Sequence, residues 1–365
     1  MTQIIIAALS SFIIAMSLTG VLTSKFRASG IGQEIREEGP ESHQTKRGTP
    51  TMGGLAIVVS IVLAYAFATV YGALNGHGGP SASGIIALAL VLALGGLGFA
   101  DDYIKIFRQR NLGLTKTQKL VIQAVIGICF GIAIVLFPNE DGLSPGSTHL
   151  SFVRDIDTID LAFGGGLGMI IFVPFIYLVV AAWSNAVNLT DGLDGLAAGI
   201  SVLVFSAYAV ITFWQYQNSC SVAAVPGCYD VRDPLDLAII AASGIGASLG
   251  FLWWNRNPAR IFMGDTGSMA LGGMVIALSV MSRTELLGII IALICVLETI
   301  SVIIQVAVFR TTGKRFFRMS PLHHHFEKGG WREIHVVWGF WAFTLLSVGV
   351  GLAIFFSESL SYGVN

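Results

Sequence analysis

Ten long apolar runs, at roughly 3–24, 52–74, 84–100, 119–137, 165–187, 194–214, 235–254, 267–282, 286–309 and 335–356, constrain this chain more than any other feature. A helix needs about 20 mostly apolar residues to cross the hydrocarbon core of a bilayer. In lipid, only helices and closed barrels satisfy all their own backbone polar groups. Barrel strands are short and alternate apolar with polar side chains, whereas these runs are continuous and too long. The expected fold is an all-α membrane protein, a polytopic bundle of about ten transmembrane helices. Composition agrees, with 54% hydrophobic and only 12% charged residues, against about 25% charged in a soluble domain. Polar segments between runs are too short for a soluble unit, so residues 1–365 read as one membrane domain. Residues 1–24 lack a basic leader and a small-residue cleavage pattern, so they read as a retained first span.

The net charge of −1 is uninformative, but its distribution is not. Counting loops from the first span, the odd-numbered ones hold 18 of the 21 lysines and arginines, and only Arg154, Arg232 and Arg283 fall on the other side. The positive-inside rule places the odd loops in the cytoplasm and both termini outside. Cys129 and Cys295 lie inside spans and read as packing residues. Cys220 and Cys228 share an outside loop, where a disulfide and two free thiols are equally open to them.

The unusual polar clusters all fall on the cytoplasmic side of this topology. "GFADDYIKIF" carries Asp101 and Asp102 at the inner end of the third span, and "NLTDGLDG" forms the turn between spans five and six. "NRNPARIFMGDTGS" places Asn255 and Asp265 between spans seven and eight, with a helix expected from near Thr266. "PLHHHFEKGGW" supplies His323, His324 and His325, while "KRGTPTMGG" leads into span two and "TKTQKL" into span four. Outside, "VRDIDTIDLAF" reads as a short surface strand without chemistry. Each inner cluster also has a plain structural reading. Asp191 and Asp194, three apart, share a face on a helix and suit the cap of the sixth span, and Asp265 suits a helix cap.

Taken together they carry more weight, because charges at membrane depth cost roughly 2.5–3.5 kcal/mol each on insertion scales. Carboxylates without sulfur ligands suit Mg²⁺ or Mn²⁺ sharing phosphate oxygens. Zinc needs further His or Cys, and the cytoplasmic loops offer only His43. Acidic residues with lysines beside them form the equipment of phosphoryl transfer. A transporter is the competing class, but its duplicated halves and midplane sites are not seen in this sequence. Glu298, inside span nine, reads equally as a functional group or as a hydrogen-bonded packing residue, and is not assigned to the site.

"TPTMGG", "FADD", "NLTDGLDGLA", "IFMGDTGS" and "PLHHHFE" together resemble the motif set of the polyprenyl-phosphate N-acetylhexosamine-1-phosphate transferases. "GTPTMGG" and "PLHHHFE" point to the muramoyl-pentapeptide branch; a GlcNAc-1-phosphate transferase is the alternative within the family. The resemblance implies transfer of phospho-MurNAc-pentapeptide from its UDP carrier to undecaprenyl phosphate, giving lipid I and UMP. It also implies an inner-membrane location, a cleft opening to the cytoplasm, magnesium, a homodimer and no nucleic-acid partner. By motif match, Asp265 and Asp191 are metal ligands and Asp101 or Asp102 the base at the lipid phosphate. Asn188, Asp191, Gly192 and Asp194 line the nucleotide pocket, with Asn255 and Phe262 at the uracil. Lys46, Thr51 and Lys119 belong to the substrate-binding set, the lysines facing phosphate. His323, His324 and His325 stand near the sugar phosphate, with His324 in the catalytic set.

Overall fold

The computed structural model describes residues 1–30, 32, 46, 48–107, 113–220, 222 and 228–361, the side chains of 167 and 359–361 excepted. Arg36, His43, Arg47, Arg108 and Arg110, used in the charge and zinc readings, lie outside the described residues. Among the described residues, ten helices are long and apolar enough to cross a membrane. They are α1 (Thr2–Ala28), α2 (Gly54–Leu74), α3 (Ala82–Phe107), α4 (Lys116–Leu136), α5 (Met169–Thr190), α6 (Leu196–Gln217), α7 (Pro234–Asn255), α8 (Gly264–Met281), α10 (Leu293–Thr312) and α12 (Glu333–Ser361). Two short helices, α9 (Glu285–Ile291) and α11 (Leu322–Glu327), a single 3-10 turn at Gly166–Gly168 and a hairpin of β1 (His149–Ser151) and β2 (Asp155–Asp160) complete the described elements. The expected surface strand at 155–160 is therefore present, paired antiparallel with β1.

The bundle is built around α8. It is the least hydropathic of the ten spans, yet 94% of it is buried, against 22% for α1 and for α10. Polar and small side chains are disfavoured against lipid but accepted among other helices. Small residues let its neighbours come close. Gly54 and Gly267 put the backbones of α2 and α8 in contact, so a Cβ on Gly54 would meet the Gly267 backbone. Around α8 stand α2, α3, α5 and α7, and α1 lies outside against α2 and α7.

Three boundaries differ from expectation. The eighth span begins at Gly264, not at 267, which carries Asp265 into the first helical turn. The ninth breaks at Ala292 into α9 and α10. Asp191 and Asp194 lie in a turn, not on a helical face, and α6 is capped by Gly195 without a side chain.

At the end of the bundle opposite the polar clusters, an apolar cavity of about 380 Å³ is lined by Met1, Gln217 and Phe356. Both terminal helices thus start or finish on that side. Cys220 and Cys228 form a disulfide. Cys295 is buried as expected, but Cys129 is exposed on α4 and is not a packing residue.

Candidate active site

Three polar groupings collect at the other end of the bundle. The first joins the C-terminal part of α3 to the first turns of α4 and α8. Asp101, Asp102 and Asp265 each offer a carboxylate oxygen, and the three oxygens lie within 4.8 Å of one another. Two ammonium groups stand between them. Lys119 Nζ lies 2.7 Å from Asp265 Oδ2 and 3.1 Å from Asp101 Oδ1. Lys105 Nζ lies 2.6 Å from Asp101 Oδ2 and 3.2 Å from Asp265 Oδ1. Lys105 shares α3 with Asp101 four residues away, a spacing that sets the two side chains on one face.

The three acids are not equivalent. Asp102, 3% exposed, accepts from the backbone amides of Asp265 at 3.1 Å and Thr266 at 2.9 Å, and from Thr266 Oγ1 at 2.7 Å. The first amides of a helix have no partner within it, and Met263 at the N-cap position of α8 supplies none. Asp102 therefore caps α8 from a different helix. Asp265 caps nothing in its own helix, and its side chain, 14% exposed, turns to the lysines. Asp101 also accepts from the Leu114 amide at 2.7 Å, fixing the entry to α4.

Beside this triad, Asp191 ends α5 and accepts a backbone hydrogen bond from Gly264. Burial first, and then the charges of Asp265, Asp102 and Asp194, push its carboxyl up to about 8. Asp191 neighbours the triad but is not one of the three acids whose oxygens converge. Asn188 accepts from Ser268 Oγ of α8 at 3.3 Å. Phe262 works through its backbone, donating to Pro50 O at 2.8 Å and accepting from Gly53 N at 2.9 Å, which ties the starts of α2 and α8 together. Thr51 is buried in the same crossing.

The second grouping surrounds Lys46. Its Nζ lies 2.8 Å from Asp194 Oδ1 and 2.6 Å from Glu333 Oε1 at the start of α12. Asp194 Oδ2 accepts from the Ala259 amide at 2.9 Å and from Asn257 Nδ2 at 3.3 Å. Glu333 accepts from the Asp194 amide at 2.9 Å and from Asn257 Nδ2 at 3.0 Å. Both ends of the Asn255 amide are spent internally, accepting from Gly195 N at 3.0 Å and donating to Ile261 O at 3.0 Å. Asn255 thus holds the segment before α8 against the turn before α6.

The histidines separate. His323 is fully buried, with its ring against Gly192, where no Cβ would fit. His324 Nδ1 pairs with Glu327 Oε2 at 2.7 Å. His325 Nδ1 accepts from the Arg318 amide at 3.2 Å, between Phe317 and Phe326.

Sequence reasoning left Lys105, Asn257, Glu298 and Glu333 out of the site. Lys105 carried a usable signal, four residues after Asp101 on a helix. Glu333 carried none, because its partners Lys46 and Asp194 lie far away in the chain.

The donor set fits a hard divalent cation, since it consists of carboxylate oxygens with no sulfur. The ammonium groups of Lys105 and Lys119 show that the triad stabilises positive charge.

Residues 84–283 match glycosyl transferase family 4, and residues 46–58 match signature 1 of phospho-N-acetylmuramoyl-pentapeptide-transferase. The phospho-N-acetylmuramoyl-pentapeptide-transferase of Corynebacterium diphtheriae is 60% identical over 362 residues, covering 99% of both chains. Those of Corynebacterium efficiens and Rhodococcus jostii are 57% and 55% identical over 362 and 361 residues, again covering 99% of both chains. A buried carboxylate triad, ten spans and identity at this level over the full length agree, and the chain belongs to glycosyl transferase family 4 as a bacterial multi-pass membrane protein of the phospho-N-acetylmuramoyl-pentapeptide-transferase branch.

Proposed function

We propose that this chain transfers phospho-MurNAc-pentapeptide from UDP-MurNAc-pentapeptide to undecaprenyl phosphate, releasing UMP and forming lipid I, the first membrane step of peptidoglycan synthesis. The observation that carries this reading is the triad of Asp101, Asp102 and Asp265 with its two lysines at the start of α8, in a chain 60% identical to a transferase of that name. A phosphate oxygen of the lipid attacks the sugar-linked phosphorus of the nucleotide sugar. The new P–O bond replaces the pyrophosphate P–O bond, and UMP leaves with that electron pair.

Asp101 holds the lipid phosphate in place or takes its proton. Lys119 and Lys105 turn from carboxylate to phosphate oxygens as substrate enters. Asp102 keeps the α8 start in register, so that Asp265 stays at the reacting centre. Asp265 and the neighbouring Asp191 would provide the oxygens for Mg²⁺ or Mn²⁺. The chemistry that an ion held there would supply is charge neutralisation on the pyrophosphate and on the departing UMP. The turn from Asn188 to Asp194, with Gly192, forms the nucleotide side, and Asn255 and Phe262 shape its wall. Lys46 and Thr51 lie on the same side, and the histidine helix closes the sugar-phosphate side, with His324 and His325 toward its mouth.

The end that carries the site faces the cytoplasm and both termini face outward, supported by the 18-of-21 asymmetry of basic residues. One substrate is then cytosolic, the other arrives laterally in the inner leaflet, and the working unit is a homodimer in the bacterial inner membrane. The test is UMP release by purified protein given undecaprenyl phosphate with either UDP-MurNAc-pentapeptide or UDP-GlcNAc. Release with the muramoyl substrate alone is expected; release with UDP-GlcNAc alone assigns the chain to GlcNAc-1-phosphate transfer instead.

A further inference from the structure

Glu298 sits in α10, at the depth of a span, with 0% exposure. An acid placed there without a partner would cost far more than the bundle gains from it. Its partners are all in the histidine motif. Oε2 accepts from the Leu322 amide at 2.7 Å, and Oε1 from the His323 amide at 3.2 Å. Oε1 also lies 3.1 Å from His323 Nδ1. A carboxylate can only accept, so the proton at that contact belongs to Nδ1. The other ring nitrogen is left over. His323 Nε2 is buried and has no hydrogen-bond partner among the described residues. It points at Gly192, where an added Cβ would overlap it, in the turn that also holds Asp191 and Asp194. The His324 ring packs edge-on at 4.1 Å and closes the other side of the imidazole. Buried polar atoms in folded proteins are almost always satisfied, so a fully oriented ring with one unsatisfied nitrogen awaits a partner.

We propose that Glu298 is a positioning residue for the transferase reaction. It anchors the start of α11 and fixes the Nδ1–H form of His323, so that Nε2, left as an acceptor, meets a hydroxyl proton of the UDP-linked substrate beside Gly192. This rests on the transferase reading above. The arrangement parallels carboxylate–imidazole pairs in metal sites, where the outer carboxylate sets the ring's orientation and tautomer. Gly192 has its own reason here, since any side chain would fill the space that Nε2 faces.

Glutamine at 298 has one acceptor oxygen and one donor group in place of two acceptors. One of the three donors then faces an NH₂, and the simplest relief moves the imidazole proton from Nδ1 to Nε2. Aspartate keeps the carboxylate with a shorter reach. The experiment measures UMP release from UDP-MurNAc-pentapeptide by wild type, Glu298→Gln, Glu298→Asp, His323→Gln and the Glu298→Gln/His323→Gln double variant, each with its thermal midpoint.

Glu298→Gln is expected to lower kcat about 10–100-fold, the usual range for losing an outer carboxylate, with KM for the nucleotide sugar changed less than about threefold. Glu298→Asp is expected to recover part of the loss. The double variant is expected to be no slower than His323→Gln alone, because a residue acting through another adds nothing once that other is gone. Near wild-type turnover in Glu298→Gln overturns the proposal, as does a double variant in which the two losses multiply. A Glu298→Gln chain that cannot be recovered folded, beside a folded His323→Gln, assigns Glu298 to stability and also overturns it. Wild-type protein inactive on this substrate would instead remove the underlying reading.

Discussion

Asp101 and Asp102 are adjacent, both buried, and equal candidates for the base when only the sequence is considered, yet their replacement by asparagine should give different results. Asp102 uses two carboxylate oxygens to accept from the amides of Asp265 and Thr266 and the hydroxyl of Thr266. Asparagine leaves one acceptor oxygen, and its NH₂ must face one of these donors. A buried donor left unsatisfied costs about 1–3 kcal/mol. Losing a negative charge at the start of α8 adds about 0.3–1 kcal/mol through the helix dipole. Asp102→Asn should therefore lose about 1–4 kcal/mol of stability.

Asp101 differs, since an asparagine oxygen still accepts from Leu114. Lys105 and Lys119, 30% and 23% exposed, keep Asp265 as partner. Neither ammonium group is left without a carboxylate, so Asp101→Asn should cost less stability than Asp102→Asn while turnover falls roughly 10²-fold or more. The assay is thermal unfolding of both variants in the same detergent, beside UMP release. A thermal midpoint for Asp102→Asn equal to wild type, or Asp101→Asn as the less stable of the two, would refute the division of labour between cap and chemistry.

Asp265→Asn should insert and fold but lose at least roughly 10²-fold in turnover, and excess EDTA should abolish UMP release until Mg²⁺ is restored; full activity in EDTA would remove the metal from the mechanism. Because the Asp191 carboxyl is raised from 3.8 to about 8, the neutral acid is the form that the folded apo protein favours. Its contribution to stability is complete below about 3.8 and is lost as pH rises through about 8. Divalent-ion affinity should run the other way, rising with pH until about 8 as the proton is displaced, and Asp191→Asn should flatten both slopes, read by thermal midpoints with and without metal. For orientation, a cysteine at exposed Thr117 should react only with a permeant thiol reagent, and one at exposed Asp141 with an impermeant one, after Cys129, Cys220 and Cys228 are replaced; the inverse labelling would put the site on the wrong face.

The spans were legible because each needs only its own composition, and the clustering of acids at one end because topology follows from counting spans and basic residues. What a residue does within that cluster was less legible. Asp102 and Asp265 look alike in sequence, each an acid near a helix end. Only packing shows that the first caps the second's helix. Asp191 and Asp194 read as caps of α6 and cap neither end of it, because the turn they occupy is held by Asn255 and Glu333 from chain-distant segments. Lys46 reads as a free cation for phosphate, but in the folded chain it is neutralised by Asp194 and Glu333 and must exchange a carboxylate for any anion it takes.

The placement of α8 shows why such a site needs this fold. A helix that starts with an acid and carries many glycines and serines is a poor membrane span on its own, and the bundle accepts it by surrounding it with other helices. Enclosing it also draws its first turn out of water, so the unpaired amides there need an acceptor supplied by the protein. Asp102 is that acceptor. One acid of the triad is thus committed to structure, which leaves Asp265 and Asp101 facing two lysines that can move. In the reading proposed above, a substrate phosphate meets carboxylates already in place, and the charges that rearrange are those on the long side chains of Lys105 and Lys119, 30% and 23% exposed.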